Sequence, residues 1–169
     1  MSLGGPTYWA AVKLRRMLSL SATFQAAVGF TGDAASTLQR IGFKQLAGTE
    51  PRPYGIISSG EKLQYKQIAG GNQIVLNSSG SLFLYLAQDI DPENFDDDVA
   101  AEMNAVSFFG QVIDEIAALS AVDDTGSADG TSHLSIVSIT MSTFAGNAED
   151  TWKSMGRFLF AGFDVEWDS

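Results

Sequence analysis

The sequence predicts an α+β domain, in which helices pack against a mostly antiparallel sheet. Three observations predict it: a helical period of buried-type residues near the start, a strand-like alternation after Pro53, and a second helical period from about Asp97 to Ala121 that is followed by two more strand-like segments. The order is helix, helix, strands, long helix, strands. No internal repeat or linker interrupts the 169 residues, so we expect a single domain over 1–169.

Two helices are predicted at the start of the chain. The first begins at Tyr8 and is ended by Gly29, and the second, in TGDAASTLQRIGF, has Thr31 or Asp33 as its cap and Gly42 as its terminator. The inner face of the first helix is predicted from spacings of three and four, which connect Ala10, Leu14, Met17, Ser21, Phe24 and Val28.

Strand-like patterns follow the prolines of GTEPRP. Two candidate strands are expected to be joined by a tight hairpin near Gly60, and SLFLYLAQDI is apolar on both faces, which indicates a central strand. The predicted strands are YGIISSG, KLQYKQIAGG, NQIVLNSSG, SLFLYLAQDI, LSIVSITMS and GRFLFAGFDVEW.

The long helix has a continuous apolar stripe, which predicts that it packs on the sheet. The stripe comprises Val99, Met103, Val106, Phe109, Ile113, Ile116 and Leu119.

Composition restricts the possible functions. With 20 acidic and 10 basic side chains the net charge is −10, which argues against a nucleic-acid binder or a protein of anionic membranes, because both need Lys and Arg. No Cys is present, so disulfides, thiolate zinc sites and Cys nucleophiles are ruled out. No secretory signal or membrane-spanning run is visible, so a soluble globular domain made in the cytoplasm is expected.

The stretch DIDPENFDDD raises the question of a metal site. Its acids are Asp89, Asp91, Glu93, Asp96, Asp97 and Asp98. The run begins like a calcium-binding loop, but Asn94 stands where the turn needs Gly, and Ala100 stands where a bidentate Glu belongs. Acids in the first turn of a helix are favoured by its dipole. We therefore predict no metal here and assign the last three acids to the start of the long helix.

Catalytic motifs are also missing. His133 is the only histidine and has no G-x-S-x-G partner, while AGGNQ and SSGSL lack a P-loop lysine. We predict no enzyme, no catalytic residue and no cofactor. A small hydrolase that uses spatially paired carboxylates and a monomeric binding module stay open as alternatives from other classes.

The last strand is apolar on both faces. Phe158, Phe160 and Asp164 point one way, and Leu159, Phe163, Val165 and Trp167 point the other. Either the chain's own helices cover both faces or a neighbouring subunit covers the second one. Candidate interface residues are therefore Phe158, Phe160, Phe163 and Trp167.

The segments PRPYGIISSG, YKQIAGG, SGSLFLYLAQDI and FDVEW, with a long amphipathic helix that begins with acids, resemble tail-terminator and tail-completion proteins of tailed bacteriophages. The resemblance covers most of the chain, from the first helix to the last strand. It implies a structural α+β subunit of the virion, assembled in the host cytoplasm, that forms a hexameric ring. Such a ring caps the tail tube and joins it to the neck or head connector, with no catalytic or ligand residue to carry over.

If the acids of 89–98 face the lumen of such a ring, they repel DNA that passes through it. The nearest alternatives are a head–tail joining protein and a tail tube protein. A tube protein is expected to be richer in strands, with a long hairpin that completes a β-barrel. The two N-terminal helices count against it.

Overall fold

The computed structural model describes residues 5–43, 52–70, 73–90, 98–120, 135–141, 152–154 and 158–168. Its helices are α1 Pro6–Leu20, α2 Ala22–Val28, α3 Ala34–Thr37 with a 3₁₀ turn Leu38–Arg40, and α4 Asp98–Ser120. Its strands are β1 Ile41–Gly42, β2 Tyr54–Gly70, β3 Gln73–Asp89, β4 Ser135–Met141, β5 Trp152–Ser154 and β6 Phe158–Asp168.

The six strands form one sheet in the order β1-β2-β3-β6-β4, and β5 also pairs with β6. Every pairing is antiparallel except that of β1 with β2. The predicted α+β class with a mostly antiparallel sheet is confirmed. The central position predicted for SLFLYLAQDI is confirmed as well, because β3 lies between β2 and β6.

The first predicted helix is broken at Ser21, which is extended with φ −63° and ψ 118°. Its hydroxyl accepts a hydrogen bond from the Phe24 amide at 3.1 Å, so it caps α2. The same hydroxyl donates to Glu115 of α4 at 2.6 Å. The hydrogen bond to Glu115 on another helix therefore stabilises Ser21 as a cap. The apolar period alone predicts an unbroken helix at this position. All six residues of the predicted inner face are nevertheless buried.

Gly29 ends α2 in the left-handed region at φ 81°, as predicted. Asp33 caps α3 by accepting from the Ser36 amide at 3.0 Å. The prediction that Gly42 ends this helix is wrong, because the residue lies in β1. The carbonyls at the end of the 3₁₀ turn are bound instead by Arg15, whose guanidinium donates to Leu38 O at 2.7 Å and to Ile41 O at 2.9 Å.

The hairpin predicted near Gly60 is also wrong. β2 runs through this position as one strand of 17 residues, and the pairing with β3 shifts by a bulge between Ser59 and Leu63. At Gly60 a Cβ atom would lie 2.5 Å from the carbonyl carbon of Ser81, so only glycine allows the two strands to approach this closely. The last pair between β2 and β3 joins Gly70 to Gln73.

α4 has nearly the predicted extent, and most of the predicted stripe is confirmed: Phe109 and Ile116 are buried, and Val106, Ile113 and Leu119 pack against the core. The stripe is wrong at its first two residues. Val99 and Met103 are 68% and 59% exposed, whereas Ala101 and Ala105 are buried. The small side chains of these alanines let the helix backbone lie close to its neighbours. A stripe that is drawn through large apolar residues alone does not include them. The buried residues of α4 are Ala101, Ala105, Phe108, Phe109, Val112 and Ile116.

The core lies between the helices and one face of the sheet, which we call the inner face. A Cβ atom on Gly55 of β2 would lie 2.7 Å from a methyl carbon of Leu18 in α1, which shows how closely the two layers pack. The inner face contributes Ile57, Leu82, Leu84, Leu86, Leu159, Ala161, Phe163, Val165 and Trp167 to the core.

Candidate functional site

The opposite side of the sheet, the outer face, has four partly accessible aromatic side chains, Phe83, Tyr85, Phe158 and Phe160. We call them the aromatic patch. Tyr85 and Phe160 stack with ring centroids 5.3 Å apart, and Phe83 lies 6.1 Å from Tyr85. None of the four belongs to the core cluster on the helix side. Large apolar groups are thus present on both faces of β3 and β6.

The guanidinium of Arg52 lies at one end of the aromatic patch. Arg52 lies over the ring of Phe158 at 4.4 Å from its centroid and forms an ion pair with Asp89. The side chain of Asp89 is 49% exposed. This first acid of the DIDPENFDDD stretch therefore lies at the edge of the outer face, paired with a cation.

Three further acids follow one another along the outer face of β6: Asp164, Glu166 and Asp168, which we call the acidic strip. Glu166 accepts from Lys62 Nζ at 3.1 Å and from Ser138 Oγ at 3.3 Å. The hydrogen bond and the charge of Lys62, with the Ser138 hydroxyl, lower the pKa of Glu166. Glu166 is therefore ionised at neutral pH.

The patch and the strip meet at Tyr85. Burial raises the pKa of its hydroxyl, and the negative charge of Asp164 raises it further. Across β6, Thr140 of β4 pairs with Asp164 and is exposed. The outer face is thus apolar at one end and acidic at the other.

The second notable feature is an arm, Leu63–Gly70 with Gln73–Ser78, in which β2 and β3 continue beyond the rest of the sheet. Pairing of β3 with β6 ends at Ser79 and Asp168, and from there the two strands pair only with each other among the described residues. Leu63 and Tyr65 are each 54% exposed.

A cavity of about 560 Å³ lies where the arm leaves the sheet. Leu63, Val137, Glu166 and Trp167 are among its lining residues. The indole Nε1 of Trp167 is buried and has no hydrogen-bond partner in the described part of the chain. The base of the arm therefore combines exposed apolar side chains with an unused donor.

The predicted interface residues fall on different sides. Phe158 and Phe160 lie in the aromatic patch, whereas Phe163 and Trp167 are 3% and 1% exposed beneath the helices. The chain itself covers the second pair, so only the first pair stays available as an interface prediction. The alternation along the strand predicts this division, and the helices decide which side is covered.

The other acids of the DIDPENFDDD stretch lie only partly within the described residues. Residues 91–97, with Asp91, Glu93, Asp96 and Asp97, lie outside the described residues, as does His133. Asp98 is the first residue of α4, as expected for the start of the long helix. The acidic strip was not predicted as a cluster, although the alternation DVEWD places its acids on one side of a strand.

Among the described residues, no group of three or more His, Cys, Asp or Glu side chains is arranged to hold a metal ion. No helix in that part of the chain has the length and apolar character needed to cross a membrane.

What the geometry offers is a pair of surfaces suited to contact with another protein: an outer face that is aromatic and acidic, and an arm that extends away from it. Comparison with known proteins adds no relative, since no model of a protein family and no curated protein matches this chain.

Proposed function

We propose that the chain is a structural virion protein of a tailed bacteriophage, a tail terminator whose copies form a hexameric ring. In this proposal the ring caps the tail tube and joins it to the neck or head connector. The observation that carries the proposal is the aromatic patch, which lies on the face of the sheet opposite the helices. A neighbouring copy that covers the patch removes apolar surface from water, which favours association.

The resemblance of PRPYGIISSG, YKQIAGG, SGSLFLYLAQDI and FDVEW to tail-terminator proteins supplies the biological context. The charge is consistent with it, because an assembly of subunits of net charge −10 repels DNA that passes through its lumen. The partners are then further copies of this chain, the tail tube and the neck proteins. The location is the tail or neck of a virion assembled in the host cytoplasm, with no cofactor.

One observation favours a second candidate, a tail tube protein. β2 and β3 are 17 residues each and form a long hairpin, the element that a tube protein is expected to have. Electron microscopy separates the two, because a terminator stops at single rings whereas a tube protein continues into long tubes.

The test is the mass of the purified protein by light scattering over a concentration series. We expect the mass to rise from the 18.0 kDa monomer towards six copies, with rings in electron micrographs. Phe160→Ser should weaken association about tenfold or more, since an aromatic anchor is lost. Phe43→Ser is the matched control, because Phe43 is 47% exposed and lies outside the outer face.

A protein that stays at 18.0 kDa at every concentration contradicts the proposal and favours a monomeric binding module. Long tubes in the electron micrographs would contradict the tail terminator and favour the tail tube protein.

A further inference from the structure

We propose that the arm of one copy lies across the outer face of a second copy. The inference rests on the proposed self-association and specifies which surfaces meet. It begins with the arm, whose two strands have only each other as partners beyond Ser79 among the described residues. An isolated two-stranded hairpin is marginally stable in water, so the arm gains stability from any surface that covers it.

The arm has few charged residues, as is typical of segments that are buried in proteins. Leu63–Ser78 reads LQYKQIAGGNQIVLNS, in which Lys66 is the only charged residue. Its exposed residues with described side chains include Leu63 and Tyr65, each 54% exposed, and Lys66. Edge strands that remain in water usually have several charges or a proline, and this arm has one charge and no proline.

The outer face is complementary to such an arm. It offers the aromatic patch to the apolar residues and the acidic strip to Lys66. In a chain with a net charge of −10, most surfaces of two copies repel each other. The three acids of the strip outnumber Lys62, the cation paired with Glu166, so contact with a segment of net charge +1 is attractive and charge favours this pairing of surfaces.

The lengths agree as well. The eight residues Leu63–Gly70 span about 25 Å at about 3.4 Å per residue. The four strands β2, β3, β6 and β4 lie side by side at about 4.8 Å spacing, so their axes cover about 15 Å. One arm is therefore long enough to cross the whole outer face.

We place the arm on the face of another copy, because in its own chain it prolongs the ladder of β2 and β3 and makes no further strand pairing among the described residues. Contact between the arm of one copy and the face of the next uses two different surfaces. Such a head-to-tail arrangement closes into a ring when the rotation between copies permits it.

The absence of Cys from the chain makes cross-linking a clean test. Tyr65→Cys marks the arm and Thr140→Cys marks the outer face, and both positions are exposed. The two single variants are mixed and treated with a short bis-maleimide. We expect a cross-linked dimer in the mixture and none with Thr140→Cys alone. The double variant should give a ladder of linked species.

Ser107→Cys is the control, because Ser107 is exposed on α4, on the other side of the sheet. Mixed with Tyr65→Cys it should give no dimer. Circular dichroism checks that every variant is folded.

The outcomes separate the two proposals. If the wild type associates but Tyr65→Cys links to Ser107→Cys or to neither position, arm docking is overturned and the ring proposal stands. If the wild type never associates and no link forms, both are overturned. A Tyr65–Thr140 link in particles that are not rings supports arm docking and contradicts the tail terminator.

Lys66→Glu gives an independent readout. Reversal of the arm's only charge should weaken association about tenfold at low salt, and the difference from wild type should shrink at high salt because exposed charges are screened. An association equal to that of wild type at low salt contradicts the role given to the acidic strip.

Discussion

The two faces of strands β3 and β6 are built from alternating residues of the same segments, yet they differ in almost every physical respect. On the inner face, Leu84, Val165 and their neighbours are fully buried beneath the helices. On the outer face, Tyr85 and Phe160 stack on each other while remaining partly accessible, and Asp164 adds a negative charge. One strand therefore serves two purposes, since every second residue stabilises the fold and the residues between them form a surface.

The difference shows how to separate residues of the fold from residues of the interface. A substitution on the inner face should change the free energy of unfolding and affect association only through it. A substitution of a partly accessible outer-face residue should change association more than a core substitution does, at a smaller cost in stability. The following experiments test that separation, from the largest expected effect on stability to the smallest.

Phe163→Ala and Phe160→Ala form a matched pair on β6. Phe163 is 3% exposed in the core, so its truncation should cost about 3–5 kcal/mol of unfolding free energy, measured in urea. Phe160 is partly accessible and stacks with Tyr85, so a smaller cost of about 1 kcal/mol is expected. Equal costs for the two variants would mean that the outer face belongs to the core.

Substitutions of Glu115 test the contact between α4 and the start of α2. It accepts from Ser21 Oγ at 2.6 Å and from Thr23 Oγ1 at 2.5 Å, and its pKa is lowered because these bonds outweigh the effect of burial, which acts to raise it. Glu115→Ala should cost about 2 kcal/mol at pH 7, as expected for hydrogen bonds to a charged group.

The same lowered pKa predicts a pH dependence. The stability that Glu115 contributes is complete above its unfolded pKa and is lost as the pH falls through its lower folded pKa. In urea titrations at several pH values, Glu115→Gln should therefore be less stable than wild type at pH 7 and approach it in acid. A constant difference between the two at all pH values would refute this account.

Lys62→Met should have the smallest effect on stability. The Lys62 and Glu166 side chains are 75% and 46% exposed, and ion pairs in water contribute little. We expect no measurable change in the urea midpoint, while an NMR titration should show the pKa of Glu166 returning towards its ordinary value. A clear loss of stability would mean that the polar end of the outer face also supports the fold.

The sequence was sufficient for the class of fold and for the alternation along β6, because a period of two or of three and four directly reflects which side of an element is apolar. It was insufficient at Ser21 and Gly60. The break at Ser21 depends on Glu115, which lies far away in the sequence. The continuation of β2 through Gly60 depends on the close approach of the Ser81 backbone. Local patterns contain neither partner.

The surface features illustrate the same limit. Phe158 and Phe160 were predicted to lie on one side of β6, but whether that side is covered depends on where the helices pack. The arm was not predicted at all, since its length follows from where β6 stops pairing with β3. The coverage of a strand and the length of the arm each depend on two secondary-structure elements, so the sequence of one element does not predict them.

The position of β6 has a consequence for how the protein is made. β6 follows β4 in the chain but lies between β3 and β4 in the sheet. During translation, therefore, the edge of β3 that pairs with β6 has no partner until Phe158–Asp168 leaves the ribosome. Until then β4 also has no described strand to pair with. The aromatic patch and the acidic strip both include residues of this late strand. In the proposed assembly, a nascent subunit would therefore complete its outer face, and become able to associate through it, only after Asp168 has been synthesised.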